Sequence, residues 1–175
     1  MHEQAFGWIA AQVARTAIAA PSVLEIGSLD INGSVRPLFA TASHYHGLDL
    51  VAGDGVDEVA DASTWPPPRT YDVVVSAEVL EHAPPWREIL EMMWRATAPG
   101  GLLLMTCATD GRAPHSAVDG LDVRPDEYYA NVAARDVRAL IAGWGIDAWV
   151  VEWAQDRGDL YVRADKPHAP PRPRA

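Results

Sequence analysis

The chain carries one cysteine, Cys107, one lysine, Lys166, and two phenylalanines in 175 residues, and it has no basic cluster ahead of its last few positions. A lone thiol excludes an internal disulfide and makes a reducing compartment, the cytoplasm, the expected location. Fourteen basic residues stand against 24 acidic ones, for a formal net charge of −10. That balance excludes a broad footprint on a nucleic-acid duplex, which needs clustered cations to displace counter-ions. No apolar run approaches the roughly 20 residues of a membrane-spanning helix, so no membrane partner is expected. The amino-terminal stretch lacks the basic start of a leader, and Gln12 and Arg15 interrupt it. Phe6, Ile9, Val13 and Ala17 recur there at helical spacing and predict an amphipathic helix lying on a sheet.

Apolar residues are abundant, at 49% with seven Trp, and the length suits one domain with a real core. Strand and helix patterns alternate, which predicts a doubly wound α/β sheet, mostly parallel, with helices on both faces. Strands are expected at Ser22–Ile26, His44–Asp49, Glu58–Ala60, Tyr71–Ser76, Gly101–Thr106, Ala148–Trp153 and Leu160–Ala164, which makes a seven-stranded sheet. Helices are expected at Gln4–Ala19, Ser34–Ala40, Trp86–Ala96 and Ala134–Gly143. The runs Asp72–Val75 and Leu102–Met105 are nearly continuous apolar stretches, as central strands covered on both faces must be. Only Ala154–Asp159 separates the last two strands, too little for a helical crossover, so they form an antiparallel C-terminal hairpin. The domain is expected over residues 1–166, with 167–175 a proline- and arginine-rich disordered tail.

Chemistry enters with Val23-Leu24-Glu25-Ile26-Gly27-Ser28-Leu29-Asp30-Ile31-Asn32-Gly33, an apolar strand that breaks into a glycine-bounded loop. Gly27 permits a sharp turn and a close ligand, and a loop of this kind presents backbone N–H groups and a helix start to an anionic group. Asp49 follows Gly27 by 22 residues, at the end of the next strand, where a carboxylate accepts both hydroxyls of a ribose. The spacing also suits a nicotinamide enzyme, although the fingerprint Gly-x-Gly-x-x-Gly is absent.

Glu25-Ile26-Gly27…Gly33, Asp49, Asp61-Ala62 after the third strand and Ser76-Ala77-Glu78-Val79-Leu80-Glu81-His82 after the fourth occur in fixed order. Together they resemble a class I S-adenosylmethionine-dependent methyltransferase, of the small single-domain kind with a Leu-Glu-His motif, over roughly Ser22 to Ala164. The resemblance implies a Rossmann-like methyltransferase fold and S-adenosylmethionine as cofactor. It also implies that Glu25 meets the cofactor's methionyl amino group, that Asp49 holds the ribose and that Asp61 accepts the adenine amino hydrogen. Ala62 then offers its N–H to the ring, with Leu50 and Trp65 on either side of it, unless Trp65 simply caps the core. Gly27, Ser28, Gly33, Ser76 and Glu78 complete the expected cofactor set. Ser28-Leu29-Asp30 departs from the family's commonest pattern, having no second early glycine and a longer loop.

Methyl transfer from a sulfonium needs alignment and exclusion of water, and a base only where the acceptor must lose a proton. His82, at the rim after the fourth strand, and His115, in the long connection Cys107 to Asn131, are the candidate bases. Tyr128, Tyr129 and Asn131 of that connection are candidates for acceptor binding, since long connections over a sheet's carboxyl edge carry function. No metal is expected, because His44 and His46 share a strand face without a third ligand. The reaction expected is O- or N-methylation of a small-molecule acceptor. The competing reading is a domain that binds S-adenosylmethionine or S-adenosylhomocysteine without transferase activity and serves in interaction or regulation. Acceptor identity and oligomeric state stay open.

Overall fold

The computed structural model describes residues 1–168, and most of the expected tail, residues 169–175, lies outside the described residues. Seven strands form one sheet in the order β3-β2-β1-β4-β5-β7-β6. In chain order the elements are α1 (Glu3–Arg15), β1 (Ser22–Ile26), β2 (His44–Asp49), β3 (Glu58–Val59), β4 (Tyr71–Ala77), α2 (Trp86–Ala96), β5 (Thr97–Ala108), α3 (Ala134–Ala142), β6 (Trp149–Ala154) and β7 (Asp159–Asp165). The first five strands pair in parallel, while β7 runs antiparallel between β5 and β6. The mostly parallel sheet and the terminal antiparallel pair thus agree with the sequence expectation.

Strand alternation sorts the core into two layers. Leu24, Val74, Leu103 and Met105 face α2 and α3, while Val23, Val73, Val75, Leu102 and Leu104 face α1. Helix α2 places Ile89, Leu90, Met92 and Met93 on one buried side, each contributing roughly 1.5–3 kcal/mol on removal from water. Its bounds are those expected, because Pro84 and Pro85 precede it and Thr97 turns into extended backbone behind it.

Two helix expectations are corrected. Helix α1 stops at Arg15, not Ala19, because Thr16 adopts extended backbone and its Oγ1 accepts the Ile18 N–H at 3.5 Å, a local alternative to the helical bond. Ser34–Ala40 forms only a four-residue 3-10 turn, Arg36–Phe39, since Pro37 sits at its start and strand β2 must begin within a few residues of its end.

In the strand order the chain moves outward from β1 to β3, then returns to β1's other side with β4. Such a switch point opens a crevice at the strands' carboxyl ends, between the loops after β1 and β4.

Candidate functional site

A cavity of about 670 Å³ occupies that crevice, within the range of small-molecule sites. Glu25, Gly27, Ser28, Gly33, Asp49, Leu50, Asp61, Ala62 and Glu78 all line it. Ser76 does not: it is fully buried in β4, in register with Ile26 and Met105, and the strand reaches the cavity only with Ala77 and Glu78. Trp65 is also absent from the lining. It is 6% exposed, belongs to the α2–α3 core layer and donates its indole N–H to Glu58 Oε1 at 2.8 Å, so it caps the core.

Glu25 is the acid of the group whose pKa burial raises. On α1's side of the sheet it is 4% exposed, and the Tyr45 hydroxyl donates to its Oε2 at 2.7 Å. Burial pushes its pKa up to about 7, with Tyr45 and the Arg36 charge pulling the other way. The Arg36 guanidinium lies 4.3 Å above the Tyr45 ring and pairs with Asp57 at 2.6 Å, which fixes the donor.

Gly27 has φ +75, and a Cβ there would collide with Val79 of the loop after β4. Six of the seven N–H groups from Gly27 to Gly33, however, are spent inside the protein. Gly27 and Ser28 donate to the Leu48 carbonyl, Asp30 to Asp54, Ile31 to Leu29 and Gly33 to the Asp30 carboxylate. Leu29 N–H goes to Asp49 Oδ2 at 3.0 Å, and Val51 N–H to Asp49 Oδ1 at 3.0 Å. With only a four-residue 3-10 turn behind it, the loop therefore lacks the anion-binding helix start expected from the sequence. Each Asp49 oxygen keeps a lone pair, so this carboxylate both holds the loop and can accept from a ligand. Asp61 similarly uses Oδ1 for the Ser63 N–H and hydroxyl, leaving Oδ2. Around the mouth stand apolar side chains left in water: Ile31, Leu50 (68% exposed), Val51 and Val118.

A second cavity, of about 660 Å³, adjoins the first and shares Met1, Asn32, Glu78 and His82 with it. His115 lines this second space with the segment Arg112–Asp122. Glu78 stands at the junction with φ +58, a left-handed conformation that costs a non-glycine residue about 1–2 kcal/mol. Its N–H donates to Thr106 on β5 at 2.9 Å. Burial alone would raise its pKa, but His2, 3.2 Å away, together with Thr106 and Arg112 outweighs burial and holds it low. The same contact raises His2 against the effect of its own partial burial.

Beside this junction His82, His115 and Tyr129 pack edge to face, with ring centroids 4.9–5.4 Å apart. Burial, then the neighbouring His115, lowers the His82 pKa and keeps its ring neutral near physiological pH. Tyr129 donates to Asn131 at 2.7 Å, and Asn131 in turn donates to the Arg112 carbonyl, so both brace the loop and line neither cavity. Tyr128 is 43% exposed and also lines neither.

Residues that the sequence did not single out complete the site. His2 contacts Glu78 from the start of α1, and Arg112 pairs with the buried Asp159 at 2.6 Å. Glu81 is wholly buried, takes the Ala108 N–H at 3.0 Å and is pushed up to about 8, first by burial and then by Glu78. Its place between Leu80 and His82 in the Leu-Glu-His run was the available signal. His44 and His46 pack against Tyr71, and His46 lies 3.0 Å from Glu58.

A doubly wound sheet of this order, closed by an antiparallel pair and carrying acids at the tips of successive strands, is the fold of the class I S-adenosylmethionine-dependent methyltransferases. The sequence model of a family described as "Methyltransferase domain" matches residues 1–155, and the chain belongs to that family. Among solved structures, the complex of DhpI with SAM and HEP aligns with a TM-score of 0.66 at 22% identity, over 91% of this chain and 85% of that one. SAM-bound CalS10, an amino pentose methyltransferase from Micromonospora echinaspora, aligns at 0.64 and 19%, over 93% and 90%. The N-methyltransferase NodS from Bradyrhizobium japonicum, with S-adenosylhomocysteine, aligns at 0.61 and 17%, over 93% and 87%. At these identities the likeness is one of fold. The search of curated proteins returns no match.

Proposed function

We propose that this methyltransferase moves the methyl group of S-adenosylmethionine to an oxygen or nitrogen of a small polar acceptor. The observation that carries the reading is the pair of adjoining cavities, one walled by Glu25, Asp49 and Asp61, the other by His115, which meet at Glu78 and His82.

The first cavity fits the cofactor. Its apolar mouth, with Leu50 and Val51, suits a purine face, and the buried Glu25 lacks a cation that an ammonium group would supply. Bound there, S-adenosylmethionine supplies a methyl carbon activated by its sulfonium. On this reading Glu25 holds the amino group, Asp49 accepts from the ribose hydroxyls, and Asp61 and Ala62 take the adenine edge. Glu78 and His82 mark the passage between the two spaces. The second cavity takes the acceptor, and the His82–His115 pair receives the proton that a hydroxyl or ammonium acceptor must lose. Neighbouring structures named as an N-methyltransferase and an amino pentose methyltransferase support a small acceptor. No helix among the described residues is long and apolar enough to cross a membrane, and the single cysteine suits the cytoplasm.

Calorimetric titration with S-adenosylhomocysteine and, separately, with NAD tests the reading. Binding of the first is expected; binding of NAD without S-adenosylhomocysteine overturns it.

A further inference from the structure

We infer that Glu81, His82 and His115 form a binding site for a divalent first-row transition cation at the wall of the acceptor cavity. One potential ligand atom from each lies within 4.8 Å of the other two. Bonds of about 2.0–2.2 Å to a shared ion draw such atoms to roughly 3–3.5 Å apart, a contraction that the exposed loop carrying His115 can supply.

Unmet bonding capacity converges on this spot. Glu81 is fully buried, and the Ala108 N–H occupies only its Oε1, leaving Oε2 without a partner. A carboxylate whose task was to hold that N–H would need one oxygen, and an amide would serve. Nor is there a cation for it in the surrounding protein, since Arg112 is spent on Asp159 and His2 on Glu78 and Asp159. His82 Nδ1 is likewise buried and unpaired. His115 Nδ1 lies 3.1 Å from the Ala113 carbonyl. As the N–H donor of that bond it leaves a lone pair on Nε2, the arrangement by which outer contacts orient a ligating imidazole. Glu78 Oε1 is a further unpaired acceptor at the same junction, and its charge adds to the field that favours a cation. Two imidazoles and a carboxylate with open positions select Zn²⁺, Co²⁺, Mn²⁺ or Fe²⁺ over the wholly oxygen-ligated ions.

His82 borders both cavities and His115 the second, so the ion's remaining positions face the acceptor space. An acceptor oxygen can take one of them, and the ion then lowers the energy at which that hydroxyl releases its proton to solvent. This use of the ion rests on the methyl-transfer reading, and it assigns His82 and His115 a ligand's role where a cation is bound. The acceptor class follows: a hydroxylated small molecule, methylated on oxygen.

Titration of the full-length chain with Co²⁺, followed by visible absorption and by calorimetry, tests the site. The wild-type chain is expected to saturate at one equivalent, and His115→Ala to bind at least about tenfold more weakly. Glu81→Gln, which keeps an acceptor for Ala108, is expected to do the same, while His44→Ala, removing an exposed histidine elsewhere, leaves affinity unchanged. Absence of a saturable spectrum in the wild-type chain, or wild-type affinity in both His115→Ala and Glu81→Gln, overturns the proposal. S-adenosylhomocysteine binding on the same samples reports separately on the cofactor cavity. Retained binding in His115→Ala shows that a lost cation is not lost folding. A wild-type chain that binds S-adenosylhomocysteine and no Co²⁺ overturns the cation site alone.

Discussion

With the cofactor's ammonium group placed at Glu25, as proposed, cofactor binding becomes a proton-release reaction. Its pKa rises from 4.5 to about 7, chiefly through burial, a displacement worth about 3 kcal/mol. The sign follows from linkage. Between pH 4.5 and 7 the folded, ligand-free chain holds this proton while the unfolded chain has lost it. The contribution to stability is therefore fully present below 4.5 and is lost as pH climbs through about 7. An ammonium group brought against the carboxylate reverses the preference, so binding at pH 6 must expel close to one proton. Affinity must then rise with pH, by up to about tenfold per unit, and level off near pH 7. The assay is calorimetric titration with S-adenosylhomocysteine at pH 6 in two buffers of different ionisation enthalpy, whose difference in heat counts the protons. Glu25→Gln should abolish the release and weaken binding. Tyr45→Phe, which removes the donor that favours the charged form, should move the release to higher pH. A buffer-independent heat in the wild-type chain, or release that persists in Glu25→Gln, refutes the placement of Glu25 at the cofactor's amino group.

Asp49→Ala removes the acceptor of both the Leu29 and Val51 N–H groups as well as the proposed ribose contact. Its S-adenosylhomocysteine affinity should fall at least about tenfold, about 1.4 kcal/mol, and unchanged affinity in the same titration would show the ribose elsewhere. Gly27→Ala forces a Cβ onto Val79 at positive φ and should lower urea-denaturation stability by about 2–4 kcal/mol. Leu90→Ala, in the fully buried face of α2, should cost about 2–5 kcal/mol in the same assay. Its side chain does not line the cavity, so it should leave cofactor affinity within about twofold.

The sheet was legible because its signals are local. Val73–Val75 and Leu102–Met105 are apolar on both faces, and the short link between Trp149–Ala154 and Asp159–Asp165 admits only a hairpin. That link fixes the hairpin's direction yet not its order, so the insertion of β7 between β5 and β6 had no signature in the pattern. Helix ends depended on competitions that periodicity does not register: Thr16 against the last turn of α1, and Pro37 with a short connection against a full helix. The acids at the strand tips were legible by order and spacing. Their partners were not. Tyr45 meets Glu25 across 20 positions, and His115 reaches His82 only because the connection after β5 folds back over the sheet. No local rule dictates that path. A reading confined to His44 and His46, on one strand, could not anticipate that Glu81 and His82, in the short 3-10 turn Leu80–His82, meet His115 from a distant loop.

The glycine loop shows how a familiar motif and its energetics can part. The N–H groups of Gly27, Ser28, Leu29, Asp30, Ile31 and Gly33 are already bonded within the protein, so an anionic group would have to displace those bonds, each worth about 1 kcal/mol net. The loop instead leaves open space at Gly33, which lines the cavity and where nothing lies within 4 Å of an added Cβ. On the proposed reading, recognition then falls to carboxylates: one buried and without a cation in Glu25, and two partly engaged in Asp49 and Asp61. Selectivity built this way is for a ligand that brings a positive charge and several hydroxyl or amino hydrogens together. A ligand with the same nucleoside and no ammonium group should therefore bind this chain weakly, because it leaves Glu25 unanswered.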